Sequence, residues 1–261
     1  MQARLDAKII LITGSTQGIG RAIAIEAATS GAEAIVVSGR NAKAGEAVVA
    51  ELKALGTDAL MIAEDLASPG AAERLFSKAL SGFGRIDALV NSAGLTTRAS
   101  ASNASREVWQ SLFKVNAEEP FFLSQHLINH LKAEKRPGEI VNILSINAHG
   151  GAADLTVYSA TKAALSLITK NSAHQHRFDR IRINGINVGW TDTPAERNMQ
   201  AHILDKGEGW LDDAISQQPF GRLLVPEDIA RLAVYLLSDA SSPMTGSIID
   251  QEQSVAGGVD G

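Results

Sequence analysis

The chain has no cysteine among its 261 residues. Disulfides, thiolate nucleophiles and cysteine-based metal sites are therefore outside its chemistry. Aromatic residues are scarce, at 5%, and net charge is small, −5 at pH 7 from 24 basic and 29 acidic side chains. A broad nucleic-acid surface needs clustered Lys and Arg, and this balance argues against one. No apolar run approaches the roughly 18 residues of a membrane span. The start, Met1-Gln2-Ala3-Arg4-Leu5-Asp6, lacks the apolar stretch of a signal peptide. The expectation is a cytoplasmic protein with neither nucleic acid nor membrane as partner. What is present is a large apolar fraction, 45%, enough to build a sizeable core and too much for a disordered chain.

Short apolar runs alternate with stretches of helical spacing. Strands are predicted at 9–13, 34–38, 59–63, 88–91, 140–144, 183–188 and 247–250. Their near-continuous Ile, Val and Leu suit strands covered on both faces. Between them, 18–30, 42–55, 71–82, 105–134, 156–176 and 226–237 carry apolar residues three or four apart. This succession implies an α/β fold: a Rossmann-like, doubly wound parallel sheet of about seven strands with helices on both faces, in one domain over residues 1–261. One stretch breaks the rhythm, between Val188 and Pro226, and holds Trp190, Pro194, Trp210 and Pro219. Its length and its place after a strand's C-terminal end predict a substrate lid at about 190–220. The glycine-rich end, 256–261, reads as a tail or a partner contact.

The first strand runs into Thr13-Gly14-Ser15-Thr16-Gln17-Gly18-Ile19-Gly20, which opens a helix. Glycines let the chain turn tightly and approach an anion closely, and the helix N-terminus then holds it. The order strand, turn, helix is the context such a turn needs to bind a dinucleotide pyrophosphate.

With this turn, Asp65-Leu66, Asn91-Ser92-Ala93-Gly94, Asn116, Ser145 and Tyr158-Ser-Ala-Thr-Lys162 in order, the chain resembles the short-chain dehydrogenase/reductase family over nearly its whole length. The spacings agree as well: 158 − 145 = 13 and 162 − 158 = 4. The resemblance implies an enzyme that moves a hydride between NAD(P) and an alcohol or ketone carbon, with Ser145, Tyr158, Lys162 and Asn116 as its catalytic residues. It implies cofactor contacts from Gly14, Ser15, Gln17, Gly18, Ile19 and Gly20, and an adenine contact from Asp65 and Leu66. Asn91, Ala93 and Gly94 would line the groove, Tyr158 and Lys162 would meet the nicotinamide ribose, and Gly189, Thr191 and Thr193 would meet the carboxamide and diphosphate. Two positions depart from the family pattern: Ser92 replaces the second Asn of Asn-Asn-Ala-Gly, and Val188 replaces the Pro before Gly189.

Alcohol oxidation needs a base for the hydroxyl proton, and reduction needs the same group as acid. Tyr158 and Lys162 lie one helical turn apart, hence on one face, where an ammonium would lower the phenol towards working pH. Ser145, at a strand end, can donate to the substrate oxygen. Pro120 lacks the N–H that would pair with the Asn116 carbonyl, so the helix should bend there and free that carbonyl for a water. At the end of the second strand, Gly39 stands where an NAD-preferring enzyme places an acid, and Arg40 follows; NADP(H) is therefore the favoured cofactor. Substrate contacts are expected from Asn147, His149, Trp190, Asn198, His202 and Trp210, a polar set suited to a sugar or polyol. The alternatives are a ketoacyl or other carbonyl reductase and, in another class, a non-catalytic dinucleotide sensor. His126 and His130 share a helix face but lack a third ligand, so no metal is expected. The apolar surplus around Phe121, Phe122 and Leu123 predicts a homotetramer or homodimer.

Overall fold

In the computed structural model, which describes residues 3–207 and 209–256, the first strand sets the architecture. β1 (Ile9–Thr13) is buried along its whole length. Alternate residues point to opposite faces of a strand, so β1 feeds two cores. Ile10 and Ile12 join one cluster, with Ile23, Ala27 and, from the chain's far end, Ile229 and Ala233. Ile9 and Leu11 join the other, with Leu75, Leu127 and Leu131.

Six further strands extend the sheet: β2 (Ala34–Gly39), β3 (Asp58–Ala63), β4 (Ala88–Asn91), β5 (Gly138–Ile143), β6 (Ile181–Val188) and β7 (Ile248–Gln251). The order is β3-β2-β1-β4-β5-β6-β7, and every pairing is parallel. The order reverses between β1 and β4, the crevice where open α/β sheets bind ligands. Helices α1 (Gly18–Thr29), α2 (Ala42–Ala54) and α3 (Ala71–Phe83) connect the first four strands.

The predicted helix at 105–134 is three pieces: α4 (Arg106–Phe113), a π-helical turn (Lys114–Glu118) and α5 (Glu119–Glu134). Pro120 explains the break, since it offers no N–H to residue 116 and the wider turn accommodates the loss. Then come α6 (Thr156–His176), α7 (Pro194–Asn198), α8 (Trp210–Ser216) and α9 (Pro226–Leu237). His126 stacks on Phe76 at 5.7 Å, and His130 meets the same ring edge-on at 6.1 Å. Residues 257–261, most of the glycine-rich end, lie outside the described residues.

Candidate active site

The C-terminal ends of β1, β2, β4, β5 and β6 border one cleft of about 800 Å³. The turn after β1 forms part of its wall. Gly14 has φ +65°, and a β-carbon on it would come within 2.7 Å of Ala93 Cα. One on Gly20 would lie 2.5 Å from the Gly14 carbonyl oxygen. Only glycine allows backbone to approach backbone this closely. Gln17, Gly18, Ile19 and Gly20 line the cleft, so the unpaired N–H groups and positive end of α1 face it.

The side chains of two residues expected at the cofactor, Ser15 and Asn91, bond within the protein. Ser15 is fully buried; its hydroxyl donates to Ile12 O (2.7 Å) and accepts from Ser38 N (3.0 Å), tying β1 to β2 below the cleft. Asn91 is also buried, donating to Asn142 Oδ1 (2.8 Å) and Ser124 Oγ (3.2 Å). Asn142 in turn donates to Thr169 Oγ1 (2.8 Å), so a polar chain fixes β4 and β5 to α5 and α6. Ala93 and Gly94 do line the cleft. The Thr13 hydroxyl accepts from Ser92 N and Ala93 N, both at 3.1 Å, and so holds this loop whatever side chain stands at position 92.

At the β2 end, Arg40 is exposed, lines the cleft, and makes no hydrogen bond or ion pair among the described residues. Asn41 is occupied as the cap of α2, accepting from Ala44 N at 3.1 Å. Asp65 and Leu66 line the cleft nearby, with Asp65 Oδ1 accepting from Ala67 N at 3.0 Å.

At the other end Ser145, Asn147, Tyr158 and Lys162 line the same cleft. Ser145 follows β5 and accepts from Asn147 N (3.2 Å). Lys162 is buried, donates to Ile143 O (2.8 Å), and lies 5.8 Å from the Tyr158 ring centroid. Asn116 is buried in the π-turn; its amide donates to Leu95 O (2.9 Å) and Thr161 Oγ1 (3.1 Å) and accepts from Leu95 N (2.8 Å). It thereby docks the turn onto α6 between Tyr158 and Lys162. Both amide N–H groups are thus used, and Oδ1 keeps one acceptor site.

Burial disfavours charge on both members of the Tyr–Lys pair. It brings Lys162 down to about 8. It pushes the Tyr158 phenol above its ordinary value; Ser145 pulls it back and the Glu196 carboxylate raises it further. In the protein alone desolvation sets the direction for Tyr158, opposite to the lowering expected from Lys162.

The segment after β6 divides the expected substrate residues. Gly189, Trp190, Thr191 and Thr193 line the cleft. The Thr193 hydroxyl caps α7, accepting from Glu196 N (3.1 Å), and Thr191 Oγ1 donates to Gly189 O (3.0 Å). Asn198, His202 and Trp210 instead line a separate cavity of about 360 Å³. Trp210 is buried there with Ala214 and Leu223, against Trp190. His149 turns to β7, its Nε2 lying 3.1 Å from both Asp250 oxygens. Glu196, Gln200 and Glu252 line the cleft and were not singled out individually. In Glu196 the spacing from Thr193 reads only as a helix cap.

The model of the family described as short chain dehydrogenase matches residues 8–203. The chain belongs to this family. Among other short chain dehydrogenases, it is 31% identical to the 3-oxoacyl-(acyl-carrier-protein) reductase of Thermotoga maritima, over 94% of this chain and 96% of that one. It is 31% identical to an L-rhamnose 1-dehydrogenase (NAD(P)+) of a Sphingomonas species, over 94% of each chain. The solved 3-oxoacyl (acyl-carrier-protein) reductase of Agrobacterium tumefaciens with NADP bound matches with a TM-score of 0.87 at 30% identity, covering 95% of this chain and 94% of that one.

Proposed function

We propose that this short chain dehydrogenase moves a hydride between NADP(H) and the alcohol or ketone carbon of a small polar sugar or polyol. The carrying observation is a single cleft with the glycine turn and Arg40 at one end and Ser145, Tyr158 and Lys162 at the other. NADP(H) fits these residues. The start of α1 suits a pyrophosphate, and the unengaged Arg40, beside a Gly39 without a carboxylate, suits a 2′-phosphate.

When bound, the cofactor supplies or accepts the hydride. The chain does the rest. Ser145 donates to the substrate oxygen and holds it at Tyr158. Tyr158 gives or takes the proton at its hydroxyl. Lys162 spends one N–H on Ile143 O; of its three, the others would hold the nicotinamide ribose, and its charge favours the phenolate as the proton leaves. Asn116 locks the π-turn beside α6, and its backbone carbonyl, which Pro120 leaves without an i+4 donor, holds a relay water. Residues 1–261 act as one catalytic unit in the cytoplasm, with 190–220 as the lid.

A panel of polyols, sugars, ketones and a ketoacyl thioester, run with both cofactors and followed by nicotinamide absorbance, tests the reading. Turnover of a polyol or sugar, faster with NADP, supports it. Preference for the thioester supports the reductase reading suggested by relatives of that name. Tight cofactor binding with no turnover would make the protein a sensor. Exposed Phe121 and Phe122 on α5 and Leu167 on α6 support a homotetramer or homodimer; light scattering that shows a monomer at micromolar concentration refutes it.

A further inference from the structure

Glu196 stands out in the cleft wall because its carboxylate is only half used. Oε1 accepts from Trp190 Nε1 (2.8 Å) and Gln200 Nε2 (2.6 Å). Oε2 has no hydrogen-bond partner, and no Lys or Arg pairs with the group, among the described residues. Gln200 is itself 3% exposed and lines the same cleft, and its Oε1 is buried without a partner. A second acceptor beside Glu196 therefore lacks a donor. The carboxylate is near enough to Tyr158 to raise its phenol.

Among the described residues no cation pairs with the acids on this wall. Glu252 adds a second carboxylate on the same tryptophan, accepting from Trp190 N at 3.2 Å. Of the cations lining the cleft near the reacting end, Arg98 is paired with Asp154, Lys162 is held on Ile143 O, and Lys206 is exposed. A charged acceptor makes strong hydrogen bonds to hydroxyls, while like charges brought together in a site oppose binding.

We propose that Glu196 determines substrate specificity: held at Oε1 by Trp190 and Gln200, it offers Oε2 to a hydroxyl of a neutral polyhydroxy substrate and turns away substrates that carry a carboxylate or phosphate there. This rests on the cleft being the active site of a polyol dehydrogenase.

The test compares kcat/KM for a neutral polyol and for the aldonate of the same chain length, in wild type and Glu196→Gln. Wild type favours the polyol, and the variant narrows the ratio by about tenfold, mainly through KM. An unchanged ratio, or a wild type that favours the aldonate, overturns the inference. A readout without turnover accompanies it. The chain has two tyrosines, so tyrosinate absorbance, with Tyr158→Phe to identify the band, follows Tyr158 directly. In Glu196→Gln its titration moves to lower pH, and a titration that stays put overturns the placement of Glu196. Failure of the dehydrogenase reading would look different, as no turnover of any alcohol or ketone. Calorimetric binding of polyol and aldonate then decides, and equal affinities overturn the inference.

Discussion

The two ends of the cleft are built from different materials. At the glycine-turn end the backbone itself forms the wall: Gly14 packs on Ala93, Gly20 on Gly14, and Ser15 and Thr13 spend their hydroxyls on main-chain groups. At the other end side chains hold side chains. Trp190 stacks on Trp210 at 6.2 Å, its indole N–H bonds Glu196, and Arg197 pairs with Asp192 at 2.6 Å. The first end tolerates little change because no rotamer can relieve a main-chain collision. The second can be rewritten residue by residue on an unchanged frame, which is how one fold comes to serve many substrates.

Four measurements would sharpen or break that contrast. Tyr158→Phe should lower turnover by about 10³-fold, the scale of lost acid–base catalysis, with cofactor binding retained; near-normal turnover would sink the mechanism. Gly14→Ala should cost about 2 kcal/mol or more of stability, from its left-handed backbone and the collision with Ala93. Gly18→Ala shares the positive φ (+54°) but meets nothing closer than 3.9 Å, so it should cost less in the same urea titration. Equal losses would mean that backbone angle alone, not close packing, sets the turn. Arg40→Ala should raise KM for NADP(H) by about tenfold, on the scale of a charged hydrogen bond, and leave NAD(H) kinetics alone; equal effects on both would remove Arg40 from the phosphate.

The fourth measurement concerns Lys162, which burial brings down to about 8 in the folded protein. Between pH 8 and its ordinary value of about 10.4, the unfolded chain binds more protons than the folded one, so this group's contribution to stability rises with pH across that window and is flat below it. The stability difference between wild type and Lys162→Met should move in favour of wild type from pH 8 to 10. A pH-independent difference would show that water reaches the ammonium.

The sheet was legible because β1 reads Ile-Ile-Leu-Ile-Thr, a run that two-sided burial alone explains, and the later strands repeat it. The glycine turn was legible because positive φ and close approach leave few residue choices. Spacing does not say which polar side chain at a strand end faces ligand and which faces backbone. Ser15 and Asn91 therefore read as cofactor contacts, yet both are buried struts. The direction of the Trp210 ring depends on Ala214, Leu223 and Trp190, contacts made only in three dimensions. Glu196 was hidden by its own local grammar, since an acid three residues after Thr193 looks like nothing more than a capped helix start.

The π-turn at Lys114–Glu118 acts as a frameshift in space. One extra residue in a helical turn rotates everything downstream by about 100°. Leu123, Leu127 and Leu131 reach the core under β4 and β5 only in that rotated frame, and so does Glu119, whose carboxylate accepts from Ala72 N at 2.7 Å and caps α3. Winding the same five residues as an α-turn would leave every apolar side chain in the sequence and swing α5 by more than a quarter turn. Exposed Phe122 would then be carried into the place that Leu123 holds in the core.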